Sequence, residues 1–148
     1  MTTIDSYRTL LIDELRELYD AEQHLTRALA GLVLSATDPD LVATLESNLL
    51  EADEHVARLE HIFFKLDVTP LARPCAGFRA LVDDSERHAS APFDSDGLRD
   101  ATIVGAARQL AHYEIAAYST AIGHADVLGI DEVTQDLDAT LVDHISVE

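Results

Sequence analysis

The sequence predicts an all-α protein, a four-helix bundle whose long middle connection carries a short extra helix. Three observations predict it. Leu and Ala recur at steps of three and four over long stretches. No run of alternating β-branched residues reads as a strand. The few prolines and glycines, four and six, fall mostly between the periodic stretches and so act as punctuation.

The first helix is predicted from about Ile4 to Ser35. Leu11, Leu15, Leu18, Leu25, Leu29 and Leu32 lie on one stripe, and the stripe has one place missing, which Glu22 fills. "ATDPDL" ends this helix and begins the next, with Asp38 as N-cap and Pro39 at the first helical position. The second helix is predicted from Pro39 to about Leu66. Its stripe is Leu45, Leu49, Ala52, Val56, Leu59, Phe63 and Leu66. Glu51 and His55 sit on one flank, and Glu54 lies nearly opposite, toward solvent.

"DVTPLARPCAG" reads as a loop, "FRALVDDSERHA" as a short helix with Phe78, Leu81 and Val82 on one side, and "SAPFDSDG" as a second break. The third long helix is predicted from about Gly97 to Leu128. Its stripe passes through Ile103, Ala107, Leu110, Ala121, Ala125 and Leu128, with Ala117 or Tyr118 between, and holds Glu114 in its middle. Gly129 is the expected C-cap and Asp131 the N-cap of the fourth helix, from about Glu132 to the end. There Leu137, Leu141, His144 and Glu148 follow at helical spacing. Two hairpins joined by a crossing segment, residues 67–96, have the wiring of a ferritin-like bundle.

A chain of 148 residues suits one domain, residues 1–148. It can bury about 68–70% of its unfolded surface, so no metal is needed merely to fold it. With one cysteine, Cys75, an intrachain disulfide is excluded. No signal-type apolar segment and no run approaching a membrane span is present, so a soluble cytoplasmic protein is expected. The formal charge is −18, from 28 acids against 10 bases, and Lys65 is the only lysine. Such a surface repels phosphate backbones and lacks a basic amphipathic helix, which argues against nucleic acid and membrane as partners. The same acidity fits a host with high internal salt, or a GC-rich genome. No Gly-flanked serine elbow, no His partner for Cys75 and no phosphate-binding glycine loop supports a hydrolase or nucleotide enzyme.

A carboxylate on an inward stripe costs several kcal/mol unless it is paired, protonated or bound to a cation. Glu22 and Glu114 are both mid-helix, where escape to solvent is poor. Pairing with Arg16, Arg27, Arg58 or Arg108 is one outcome. The other is metal. A span of 29 residues separates Glu22 from Glu51, and also Glu114 from Asp143, so two related hairpins would bring four acids to one level. Carboxylates neutralise divalent ions there, and His55 and His144 add imidazole. The candidate ligands are Glu22, Glu51, His55, Glu114, Asp143, His144 and Glu148. Tyr19, Tyr113 and Tyr118 are candidates for packing or for hydrogen bonds to the ligands. His112 is expected at the surface or an interface, and His24, His61, His88 and His124 in solvent.

At these residues the chain resembles the YciF-type ferritin-like family, named as candidate ferroxidases. The matching stretches are "ELRELYDAEQHLTRAL", "LLEADEHVARLEHIF", "PCAGFRALVDD", "AARQLAHYEIAAYSTAIGHADVLG" and "TLVDH". "LYDAEQ" and "HYEIAAY" are the most specific. The resemblance covers nearly the whole chain. It implies a carboxylate-rich dimetal centre, often a dimer, and a role in bacterial stress. Glu22, Glu51 and Glu114 match its acidic positions. Ala111 and Asn48 stand where the family usually has Glu and His, and Asp143 with His144 replaces a pair of glutamates. Glu148 stands where the family has Asp, and family members continue the last helix further.

The expected ligand is a divalent metal, iron first, with manganese or zinc as alternatives. The expected function is Fe(II) oxidation by oxygen or peroxide in stress protection, by a homodimer. A metal-free bundle acting as a stress or scaffold protein, and a metal store without turnover, are the competing readings.

Overall fold

Five helices account for the fold: α1 (Tyr7–Ser35), α2 (Pro39–Lys65), α3 (Ala76–Ser90), α4 (Asp96–Leu128) and α5 (Asp131–Ser146). They come from a computed structural model that describes residue 4 and residues 6–146. Helix α1 pairs with α2, and α4 with α5. The two hairpins meet through α1 against α4 and α2 against α5, while α3 lies outside on α1 and α4. This is the expected bundle, with the extra helix in the middle connection.

The caps follow from sequence. The Ser6 hydroxyl accepts from the Thr9 amide at 3.2 Å, and Asp38 accepts from the amides of Asp40 and Leu41 at 2.8 and 3.1 Å. The Ser95 hydroxyl accepts from the Leu98 amide at 3.3 Å. Gly129, with φ of 70°, turns the chain out of α4 in the left-handed conformation that glycine adopts without strain. Two boundaries differ from expectation. α1 starts at Tyr7, because Ser6 caps it. Asp131 is already the first residue of α5, whose opening bond runs from the Thr134 amide to the Ile130 carbonyl at 3.1 Å.

The core has two parts. One gathers Leu11, Leu15 and Leu18 with Leu59, Phe63, Tyr118 and Leu137. The other gathers Leu25, Leu29 and Leu32 with Leu45, Phe78, Ile103 and Leu110. Each such side chain contributes about 1.5–3 kcal/mol through burial. Glu22 lies on α1 between them. The α2 stripe is turned from its expected position: His55 and Ile62 are buried, whereas Leu49 and Val56 are half-buried. On α5, Val133, Leu137, Thr140 and His144 face inward, and Leu141 is half-buried. Leu128, expected on the α4 stripe, is exposed. No described helix is long and apolar enough to cross a membrane.

Candidate metal centre

Mid-bundle, α1 contributes Glu22, α2 His55, α4 Glu114 and Tyr118, and α5 His144, all buried. One ligand atom each from Glu22, His55 and His144 falls within 4.8 Å of the others. His144 Nε2 lies 3.3 Å from Glu22 Oε1 and 3.8 Å from Glu114 Oε2. His55 Nδ1 lies 3.6 Å from Glu22 Oε2, beyond hydrogen-bond reach. The two imidazoles stand 4.9 Å apart, centre to centre.

Around this group, partners fix the ligands. Asp143 Oδ2 sits 3.0 Å from His55 Nε2, and Arg58 donates to the same oxygen at 3.1 Å and to the Thr140 hydroxyl at 3.2 Å. When His55 is neutral and its Nε2–H donates to Asp143, the Nδ1 lone pair is the one turned toward Glu22. A carboxylate behind a ligating imidazole is the usual support of a metal-bound histidine. The Tyr118 hydroxyl donates to Glu22 Oε1 at 2.8 Å. Helical spacing offered Ala117 or Tyr118 for the stripe and could not reveal this bond, which crosses from α4 to α1.

The electrostatics separate the two glutamates. Burial pushes Glu22 up, but the contact with His144 and the charge of His144 and His55 outweigh it and hold the carboxyl well below the usual range. Burial and the charge on Glu22 push Glu114 well up. Burial draws His55 down, and Glu22 and Asp143 more than reverse it. Without a cation these surroundings favour the ionised form of Glu22, the charged form of His55 and the neutral form of Glu114.

Among the described residues, four buried atoms of this group have no hydrogen-bond partner: Glu22 Oε2, His55 Nδ1 and both oxygens of Glu114. Buried polar atoms are nearly always satisfied. Glu22 Oε2 and His55 Nδ1 lie 3.6 Å apart and Glu114 Oε2 lies 3.8 Å from His144 Nε2, and a divalent cation is a partner that would satisfy such atoms. The donor set fits such an ion. Two imidazoles with one carboxylate suit Fe(II) and leave positions open, and they also suit zinc.

Of the residues expected from sequence, Glu22, His55 and His144 come together and Glu114 joins them. Asp143 stands behind His55 rather than in the cluster. Glu51 is half-buried beside a small cavity that also reaches His55, His144 and Ala111. Glu148 lies outside the described residues. Tyr19 packs edge-on against Phe63, with ring centres 5.7 Å apart. Tyr113 meets Cys75, OH to Sγ at 3.0 Å. His112 is exposed as expected, but His24 is half-buried, its Nδ1 2.8 Å from the Asp20 carbonyl.

The fold and sequence match known proteins along their length. Protein YciF of Escherichia coli (strain K12) is 28% identical over 142 residues, covering 95% of this chain and 83% of that protein. The crystal structure of the E. coli stress protein YciF superposes with a TM-score of 0.92 at 25% identity, over 97% of this chain and 91% of the other. A structure of YcfI from Rhodopseudomonas palustris, described as a candidate structural protein, gives 0.92 at 33% identity over the same shares. The family model described as "Domain of unknown function (DUF892)" matches residues 6–147. The chain belongs to the DUF892 family.

Proposed function

We propose that this protein binds Fe(II) at Glu22, His55 and His144 and oxidises it with dioxygen or peroxide, as a cytoplasmic stress-protection protein. One observation carries the reading: ligand atoms of the buried Glu22, His55 and His144 fall within 4.8 Å of one another, and Glu22 Oε2 and His55 Nδ1 have no hydrogen-bond partner among the described residues. Iron is here the substrate. Each Fe(II) gives one electron. Two of them supply the electrons that, with two protons, convert dioxygen to hydrogen peroxide or peroxide to two waters. The chain holds the ion between two helical hairpins, shields it from bulk water and offers Glu114 as a further carboxylate. A metal needs the neutral imidazole of His55, and the carboxylate of Glu114 if it ligates, so uptake competes with protons at both.

The test is anaerobic loading with Fe(II) and elemental analysis, beside Glu22→Ala and His55→Ala. One iron per chain, lost in both variants, supports the reading, and oxygen or peroxide consumption then shows turnover. Two irons per chain would bring Glu51 and Glu114 into the dimetal centre that the family resemblance implies. No uptake rejects metal binding and favours the second reading, a metal-free bundle. That reading is supported by Ala111 in place of a carboxylate and by the description of the R. palustris relative. A homodimer is part of the proposal: Leu34, Leu50 and Phe64 expose large apolar side chains. Sedimentation that remains monomeric at high protein concentration would reject it.

A further inference from the structure

We propose that the chain carries a second binding site, for a small monocarboxylate with an apolar body, in the cavity beside the first turns of α1. The cavity has a volume of about 500 Å³ and shares no described residue with the mid-bundle cluster. Ile4, Ile12 and Val68 give it apolar walls, and Asp13, Arg16 and Arg73 give it charge. The crossing segment forms one side. There the Arg73 amide donates to the Arg16 carbonyl at 3.1 Å and holds the segment against α1.

Arg16 selects the ligand. On a helix its ordinary partners are the acids three and four residues away, Asp13 and Asp20. Both are taken. Asp13 pairs with Arg73 at 3.1 Å, and Asp20 accepts from Arg79 at 3.0 and 2.6 Å. Glu17 also turns to Arg73, at 3.9 Å. Among the described residues the Arg16 guanidinium therefore has neither an ion pair nor a hydrogen bond, and its buried Nε is an orphan donor. Acids outnumber bases 28 to 10, so carboxylates are plentiful and only their reach is lacking. Asp13 offsets Arg73, which leaves the cavity walls with the single positive charge of Arg16. A monoanion neutralises it. A phosphate dianion would leave a negative charge beside Asp13, in a chain already at −18. Water supplies an acceptor but no charge. The planar guanidinium matches the two oxygens of a carboxylate. The volume lies within the roughly 300–1,000 Å³ of sites that hold small organic molecules, and the three aliphatic walls cover an apolar body rather than a bare ion.

Octanoate tests this on the full chain, titrated in the presence of a chelator and followed by calorimetry and amide NMR shifts. Octanol and octyl phosphate are the neutral and dianionic comparisons, at about pH 8 so that the phosphate is fully ionised. The expected result is one octanoate per chain, bound about tenfold more tightly than either comparison, with shifts centred on residues 9–16 and 68–73. Arg16→Gln should weaken octanoate about tenfold and leave octanol unchanged. Arg16→Lys keeps the charge without the planar fork and should fall between. Should Arg16→Gln not fold, Ile12→Trp fills the cavity from its apolar wall and should weaken octanoate to the same degree. Octanol binding as tightly as octanoate, or octyl phosphate more tightly, overturns the proposal. So do shifts centred elsewhere, an affinity unchanged in the variants, and the absence of any binding at millimolar octanoate. None of these outcomes bears on Glu22, His55 or His144, so the metal reading stands or falls separately.

Discussion

Glu114 is fully buried, and among the described residues neither of its carboxyl oxygens has a hydrogen-bond partner. A buried acceptor left unmade costs about 1–3 kcal/mol. The metal-free protein should therefore gain stability in Glu114→Met, by about 1–2 kcal/mol. Urea denaturation in the presence of a chelator measures this, and a loss of stability would mean that the carboxyl has a partner it needs. Glu114→Gln should stay within about 1 kcal/mol of wild type, because the amide resembles the protonated acid that burial enforces. This anomaly was legible in the sequence, since Glu22 and Glu114 interrupt apolar stripes in mid-helix. His55 was less legible. It reads as a flank residue when the α2 stripe is extrapolated rigidly from Leu45 to Leu66, and small errors of phase add up over that length. The structure turns α2 so that His55 and Ile62 face in. Tyr118, Asp143 and Arg58 acquire their roles only through contacts between helices, which no spacing within one helix encodes.

At the level of elements, α3 lacks a side-chain cap of its own, and Cys75 at its start makes none. Asp20 of α1 substitutes for it. Its carboxylate accepts from the Cys75 amide at 2.9 Å and from two nitrogens of Arg79, at 3.0 and 2.6 Å. The bond pattern ties α3 to α1 two residues before Glu22. Arg79 is partly exposed and would resolvate, so the loss in Asp20→Ala is less than for a fully buried pair, about 2–3 kcal/mol. A urea midpoint unchanged in that variant would show that α3 is held by Phe78 and Val82 alone. The α1–α2 link is tied to α4 in a similar way. Asp100 accepts from the Thr37 amide and hydroxyl at 2.8 and 2.6 Å, and from the Asp38 amide at 3.0 Å. These bonds, led by the Thr37 hydroxyl, hold its carboxyl below the ordinary value of 3.8. The folded state thus keeps this carboxylate ionised at lower pH than the unfolded chain does. Its contribution is fully present above pH 3.8 and fades as pH falls through the lower folded value. Asp100→Asn should flatten the acid limb of the stability curve in that window, and an unchanged limb would remove Asp100 as a cause. The caps at Asp38 and Gly129 were readable because each is local. The Asp20 and Asp100 ties were not, because their partners lie 55 and 63 residues away.

For the molecule as a whole, the excess of 28 acids over 10 bases sets two opposing responses to salt. Screening weakens attraction in surface ion pairs such as Lys65–Asp136, at 2.8 Å, and Arg73–Asp13, at 3.1 Å. It also weakens repulsion among the many acids left without a cation. Exposed pairs contribute about 0–1 kcal/mol each, and ten bases limit their number. Repulsion acts among all the surplus acids, so its relief should dominate. The Debye length falls from about 10 Å at 0.1 M to about 3 Å at 1 M salt. If that relief amounts to about 2 kcal/mol, the melting temperature should rise by about 4–8 °C over the range. Potassium chloride titrations followed by circular dichroism measure it, with chelator present so that metal binding does not contribute. A flat or falling melting temperature would mean that the acids are already spaced widely enough not to repel, and that the composition carries no adaptation to salt. A rise would also bear on the centre, because the same negative field attracts divalent cations toward the mid-bundle carboxylates. Fe(II) association should then slow as salt increases, in step with the gain in stability.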